Sequence, residues 1–146
     1  MGKEIERKFL VKTDEFKRMA TDNILISQGY LCRLPERTVR VRIRDKKGFL
    51  TIKGLTKGFS REEYEYEIPL EDARNLLELC EGRIVAKTRW IVPFEGHTWE
   101  IDEFSGDNKG LTVAEIELCS EDEVFTPPCF IGEEVTGNPA YYNSNL

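Results

Sequence analysis

The sequence predicts a mainly β fold of the α+β class: an antiparallel sheet closed or nearly closed on itself, with two or three helices laid outside. Three observations carry this. Apolar and charged residues alternate with period two in segments spread over the chain. Helical spacing is confined to short stretches. The charges on the alternating segments are sorted by sign rather than mixed. No repeat, low-complexity tract or linker divides the 146 residues, so one domain spanning 1–146 is expected, with residues 120–146 wrapping it.

The first segment, residues 3–11, contains Glu4-x-Glu6-x-Lys8. On a strand these three side chains point one way, which sets two carboxylates and an ammonium at one-pleat spacing. A hard divalent cation and a phosphate oxygen could sit there side by side. Thr13 or Asp14 then caps a short helix over about 14–20. From Thr38 to Ile43, Val39, Val41 and Ile43 interleave with Arg40, Arg42 and Arg44. Asp45-Lys46-Lys47-Gly48 reads as a hairpin turn, and 49–53 as its partner strand. In 60–68, Arg61, Glu63, Glu65 and Glu67 oppose Tyr64, Tyr66 and Ile68.

Pro69 introduces the best helix, in which Ala73, Leu76, Leu77 and Cys80 recur at i, i+3, i+4, i+7 and Gly82 closes the run. Alternation returns in 83–92, 97–103 and 111–118. Ser120-Glu-Asp-Glu123 fits a capping box. The proline- and glycine-bearing residues 127–146 read as loop with a short helix.

Composition narrows the class. With 40% hydrophobic and 33% charged residues the chain is globular rather than disordered. A net charge of -6 argues against a nucleic-acid binder. Cys32, Cys80, Cys119 and Cys129 have no CxxC pairing, and the single His97 cannot complete a zinc set with them, so free thiols in a reducing compartment are expected. There is no signal peptide and no apolar run near 18 residues; a cytoplasmic protein without membrane attachment is the expectation.

The sorted charges point to function. An amphipathic strand ordinarily turns its charged side to water. Here Arg40, Arg42 and Arg44 line one face, Glu63, Glu65 and Glu67 another, Lys87 and Arg89 a third, Glu100 and Asp102 a fourth, and Glu115 and Glu117 a fifth. Like charges along one face repel unless something of opposite sign fills the space between faces. Rolled with the charged faces inward, the strands enclose a wet lumen with cationic and anionic walls. The apolar faces then turn outward and need cover from helices or a partner subunit, which leaves a homodimer open. A triphosphate, carrying about four charges, with one or two Mg²⁺ ions suits such a lumen.

These residues resemble the CYTH superfamily, the triphosphate tunnel metalloenzymes. The resemblance rests on Glu4-x-Glu6-x-Lys8, Arg40-x-Arg42, Thr51-Ile52-Lys53-Gly54, Arg61-x-Glu63-x-Glu65, Lys87-Thr88-Arg89-Trp90, Glu100-Ile101-Asp102 and Ala114-Glu115-Ile116-Glu117, in order along the chain. It extends to an ending similar to the family's, in Gly132, Glu134 to Thr136, Tyr142 and Asn143. Phe130, where the family often has tryptophan, and Asn138-Pro139-Ala140 depart from the pattern.

The resemblance implies an eight-stranded antiparallel closed barrel with a charged interior. It implies that Lys8, Arg40, Arg42, Lys53, Lys87 and Arg89, with Arg61 added, grip the triphosphate. Glu4, Glu6, Glu115 and Glu117 would hold Mg²⁺ or Mn²⁺, and Glu63, Glu65 and Asp102 a second ion or its waters. Arg44 and Glu67 continue the same faces nearer the strand ends, in the tunnel or on its exposed rim. Glu4 or Glu65 would hold the attacking water, and Tyr30 would act with Lys87. The implied activity is hydrolysis of a small triphosphate, foremost inorganic tripolyphosphate to pyrophosphate and phosphate. Adenylate cyclase acting on ATP, thiamine triphosphatase, and a polyphosphate- or nucleotide-binding module without turnover are the alternatives.

Overall fold

The computed structural model describes Glu4–Leu146; Lys3, at the start of the first expected strand, lies outside the described residues. The elements are β1 (Glu4–Val11), α1 (Phe16–Met19), β2 (Asp22–Leu34), β3 (Arg37–Arg44), β4 (Lys47–Gly54), β5 (Ser60–Arg61), β6 (Glu63–Ile68), α2 (Leu70–Glu78), β7 (Glu81–Phe94), β8 (His97–Phe104), β9 (Thr112–Glu117) and β10 (Ile131–Glu134). All pairings are antiparallel, in the order β10-β1-β9-β8-β7-β2-β3-β4-β6. The sheet curls back on itself because β5, which directly precedes β6, pairs with β1 through Glu4↔Arg61 and Ile5↔Ser60. Among the described residues, closure is thus a two-residue bridge, and from Glu63 onward β6 pairs with β4 alone.

Local chemistry accounts for most boundaries and for the departures from expectation. The segment 60–68 splits at Glu62, whose carbonyl accepts from the Gly54 amide at 2.9 Å as the chain changes partner from β1 to β4. The turn between β3 and β4 is Asp45-Lys46 alone, with Asp45 at φ 55°. Gly48 lies inside β4 instead. A Cβ there would stand 2.6 Å from the Ala73 Cβ, so this glycine lets α2 approach the sheet. The helix ends at Glu78 on tightened bonds from the Leu79 and Cys80 amides to the Leu76 and Leu77 carbonyls. Gly82 does not close it but belongs to β7 at φ +66°.

The expected 14–20 helix is reduced to the single turn of α1. Ser120–Glu123 forms a turn, not a helix start: Glu123 accepts from the Cys119 amide at 2.6 Å and the Ser120 hydroxyl donates to Asp122 at 2.9 Å. Pro127-Pro128 shortly downstream deny a helix there. The central strand β2 shows no clean alternation, since Ile24-Leu25-Ile26 run together and a bulge falls between Tyr30 and Cys32.

The apolar faces point outward, as expected. Over β1, β7, β8 and β9 the main core gathers Phe9, Val92, Trp99, Ile101, Ala114 and Ile116, covered by Phe16 of α1 and by Leu118 and Phe130. Over β3 and β4 the cover is α2, with Ala73 and Val41 fully buried. Ile52, Tyr64 and Tyr66 on the outer face of β4 and β6 remain exposed. All four cysteines are free. Among the described residues no helix is long and apolar enough to cross a membrane.

Candidate active site

Strand pleating puts every charged face identified above on the inside of the curl. At one end of β7, β8 and β9 the inward positions turn apolar, where Val85, Phe104 and Val113 pack with Leu111 and Leu146. That end is plugged. Above it the lumen holds two adjoining cavities that share Glu4, Glu6, Arg40, Lys53 and Asn143. One continues to Lys8, Tyr30, Thr38 and Arg61 beneath the loop before β5. The other, about 170 Å³, is walled by Arg42, Arg44, Glu63, Glu65, Arg89, Glu100, Glu115 and Glu117.

The deep cationic wall is built around one carboxylate. Asp102, 1% exposed, receives Lys87 Nζ at 2.6 Å and Arg89 at 2.8 and 2.9 Å. Burial alone would raise the Asp102 pKa, but Arg89 and Lys87 outweigh it and hold it far below the carboxylate range. Three further effects show that this one anion does not balance its neighbours. Burial, then Arg40 and Arg89, push Arg42 down to about 9. Burial pushes Lys87 down to about 7, with Arg89 and Arg42 adding to it against the pull of Asp102. Arg40 Nε is buried without a partner among the described residues, although its Nη2 donates to Thr51 at 3.2 Å. Against burial, Asp102 raises the Arg89 pKa, and its one negative charge is shared between the Arg89 fork and the Lys87 ammonium.

Arg42 is not free to present a fork. Its Nε and Nη2 both donate to Gln28 Oε1, at 2.9 and 2.7 Å, which fixes the guanidinium and leaves Nη1 for a ligand. Arg61 likewise spends Nε on the Gly54 carbonyl at 3.0 Å.

The carboxylates face this wall from β1, β6 and β9. Lys53 Nζ donates to both oxygens of Glu4 at 2.9 and 3.1 Å and reaches Glu63 at 3.5 Å. Glu115 stands beside Lys8, which with a hydrogen bond from Glu6 brings it to about 2 against burial. Glu6 is raised well above the usual range by burial and by the charges of Glu115 and Glu4, so in the metal-free protein it carries the proton of the pair. Glu117, beside Glu4, Glu63 and Glu100, is raised too, burial being the larger cause. Glu65 is half-exposed and accepts from the Thr51 hydroxyl at 2.9 Å. Glu67 is exposed, and Arg44 reaches the cavity from an exposed position.

Carboxylate oxygens crowded enough to share a proton suit a hard divalent cation, which would replace that proton. Among the described residues no three acidic side chains converge into a ready-made cage.

The structure brings together Glu4, Glu6, Lys8, Arg40, Arg42, Lys53, Arg61, Glu63, Glu65, Arg89, Glu115 and Glu117 around the two cavities. Lys87 and Asp102 lie just beneath, at the Asn143 side chain. Tyr30 is buried and lines the first cavity, close enough to Lys8 and Arg42 to act on their charges. It registers opposite Arg40 and Glu81, however, whereas Lys87 registers opposite Ile26, four residues away along β2. Gln28, Thr51 and Asn143 received no site role from sequence, although Thr51 and Asn143 stand among the residues that carry the resemblance. Gln28 sits on a strand without clean alternation, and Asn143 on a segment without periodicity.

A curled antiparallel sheet whose lumen opposes a buried cationic wall to a row of carboxylates defines a protein built to hold a polyanion together with a cation. The chain belongs to the CYTH domain family, whose model matches residues 2–127. It is 53% identical to an inorganic triphosphatase of Acetivibrio thermocellus, over 100% of this chain and 94% of that protein. It is 38% identical to the inorganic triphosphatase of Nitrosomonas europaea, over 98% and 95% of the two. Among solved structures, a crystal structure of an inorganic triphosphatase superposes with a TM-score of 0.67 at 35% identity, covering 97% of this chain and 92% of that one.

Proposed function

We propose that this protein is a divalent-metal-dependent hydrolase that cleaves inorganic tripolyphosphate into pyrophosphate and phosphate inside the lumen. The observation that carries the reading is the excess positive charge of the deep wall: Arg40, Arg42, Lys87 and Arg89 are buried against one buried carboxylate, Asp102, while Arg40 and Arg89 otherwise reach only the half-exposed Glu65 and Glu100 at 3.6 and 3.4 Å, and Arg42 has no ion pair among the described residues. A buried cation without a counter-ion is strongly disfavoured, so the wall is complete only with an anion against it. Identity to inorganic triphosphatases along the whole chain supports the choice of substrate.

Arg40 Nε, Arg42 Nη1 and the Lys8 and Lys87 ammoniums supply donors to phosphate oxygens and offset charge developing as the terminal phosphoryl group is transferred. Glu65 is the better-placed acceptor for the proton of the attacking water. Its Oε1 takes the Thr51 hydroxyl and faces Arg40 at 3.6 Å, which leaves Oε2 without a contact among the described residues, whereas both oxygens of Glu4 are tied to Lys53. Glu6 and Glu115, with Glu4, Glu63 and Glu117 around them, are the residues that would hold Mg²⁺ or Mn²⁺; when bound, the ion supplies Lewis-acid charge at phosphate oxygens. Asp102 we read as the counter-ion of Lys87 and Arg89, because its oxygens are already taken. Tyr30 we assign to the wall beside Lys8 rather than to a pair with Lys87.

The test is phosphate release from tripolyphosphate, ATP, thiamine triphosphate and pyrophosphate with Mg²⁺ and with Mn²⁺, and cyclic AMP assayed separately. Preferred, ion-dependent cleavage of tripolyphosphate is expected. Turnover of ATP to cyclic AMP, or no turnover of any triphosphate, would refute the proposal.

A further inference from the structure

The segment after β10 enters the lumen. Residues 139–141 and 143–145 form two 3-10 turns, knit by the Asn138 side chain on the Ala140 amide at 3.0 Å and by Asn145 Nδ2 on the Pro139 carbonyl at 2.8 Å. The segment is fixed at both ends. Thr136 accepts from the Lys8 amide at 2.8 Å, and Leu146 packs against the apolar plug of Val85, Phe104 and Val113. Between these anchors the Tyr141 carbonyl accepts from Lys8 Nζ at 3.2 Å, and Asn143 Oδ1 accepts from Lys87 Nζ at 3.4 Å. Asn143 borders both cavities.

An ammonium can only donate, so the Asn143 atom facing Lys87 is its carbonyl oxygen. The amide nitrogen is thereby turned away from Lys87, and among the described residues it has no partner. We propose that Asn143 is a phosphate-binding residue, its Oδ1 holding the Lys87 ammonium and its Nδ2 donating to a phosphate oxygen of the bound triphosphate. The proposal rests on the reading of the lumen as a triphosphate site. A neutral donor suits this position, because it adds a hydrogen bond without adding charge to a wall where four cations are already buried.

The test is calorimetric titration of tripolyphosphate into the wild-type protein, Asn143→Asp and Asn143→Ala without divalent ion, with thermal unfolding as a fold control. Asp keeps the shape and the acceptor for Lys87 but replaces the donor with an anion, so Asn143→Asp is expected to bind most weakly, by about tenfold or more. Asn143→Ala should lie between it and the wild type. The added charge of Asp weakens binding by itself, so Asn143→Ala is the deciding arm: undiminished affinity there, or wild-type affinity in Asn143→Asp, overturns the proposal. If Asn143→Asp does not fold, Asn143→Ala decides, and undiminished affinity there overturns it. No binding by the wild type would instead remove the triphosphate reading itself, and the role of Asn143 with it.

Discussion

Asp102→Asn removes one charge and almost no volume from the centre of the cationic wall. The carboxylate takes three short contacts, 2.6 Å from Lys87 and 2.8 and 2.9 Å from Arg89. An asparagine offers one acceptor and turns an NH2 toward groups that can only donate. Breaking a buried ion pair by removing one partner costs roughly 3–5 kcal/mol. At about 2–4 °C per kcal/mol for a chain of this size class, the melting temperature should fall by roughly 6–20 °C. The loss should depend on pH. Lys87, already lowered to about 7 by burial, loses Asp102, the larger of the two carboxylates pulling it up, and keeps only Glu115, so its pKa falls further and above pH 7 it has shed its proton and relieved the wall. Below pH 7 the surplus charge stays, and the deficit is larger. Differential scanning fluorimetry at pH 6 and 8.5, with Mn²⁺ affinity measured in parallel, is the assay. An unchanged melting temperature at pH 6, or lost Mn²⁺ affinity with the fold intact, would refute the counter-ion role and return Asp102 to the metal ligands.

Lys87 also sets a proton-linkage prediction. Its pKa is lowered in the free protein and should return upward against bound phosphate, so tripolyphosphate binding takes up a proton above pH 7; calorimetry in buffers of different ionisation enthalpy should show the uptake, and Lys87→Met should reduce it. Glu6 works in the opposite sense. As a carboxyl with a raised folded pKa it contributes stability that is lost as pH rises through that value, so the metal-free protein should lose stability from mildly acidic toward higher pH; Glu6→Gln should flatten the slope and abolish divalent-ion-dependent phosphate release, and an unchanged pH slope counts against it. Gln28→Leu frees Arg42 from its clamp and should raise KM for tripolyphosphate about tenfold, with Arg42→Ala weaker still; wild-type kinetics in either would remove Arg42 from the site. Gly48→Val forces a side chain into the Ala73 contact and should cost about 1–3 kcal/mol by denaturant melts, with no effect if α2 can shift outward.

Much of this molecule was legible in its chain because a strand has period two. The Arg40–Arg42–Arg44 and Glu115–Glu117 faces, sorted by sign, left an inward orientation open, the resemblance to the CYTH superfamily favoured it, and the ions do line the lumen. Apolar residues such as Trp99, Ile101 and Ile116 had to lie outside, and they form the outer core. The same regularity explains what was missed. The strand β2 carries a bulge and an unbroken Ile24–Ile26 run, so Gln28 and its hold on Arg42 left no periodic trace. Gly48 looked like turn chemistry because a glycine demanded by a helix crossing reads, in one dimension, like a glycine demanded by a bend.

The residues alone determined which side chains share a face, since alternation is a local property of the backbone. They did not determine how far the curl closes, how the ions pair across it, or which donors remain unspent. Those depend on distances between strands remote in sequence. Thus Glu4 is tied to Lys53, Asp102 is consumed by Lys87 and Arg89, and Asn143 is delivered by a segment with no periodicity of its own. Coulomb energy falls with separation and burial multiplies it, so only the folded arrangement could decide which carboxylates remain to hold a metal ion and which cations remain for an anion.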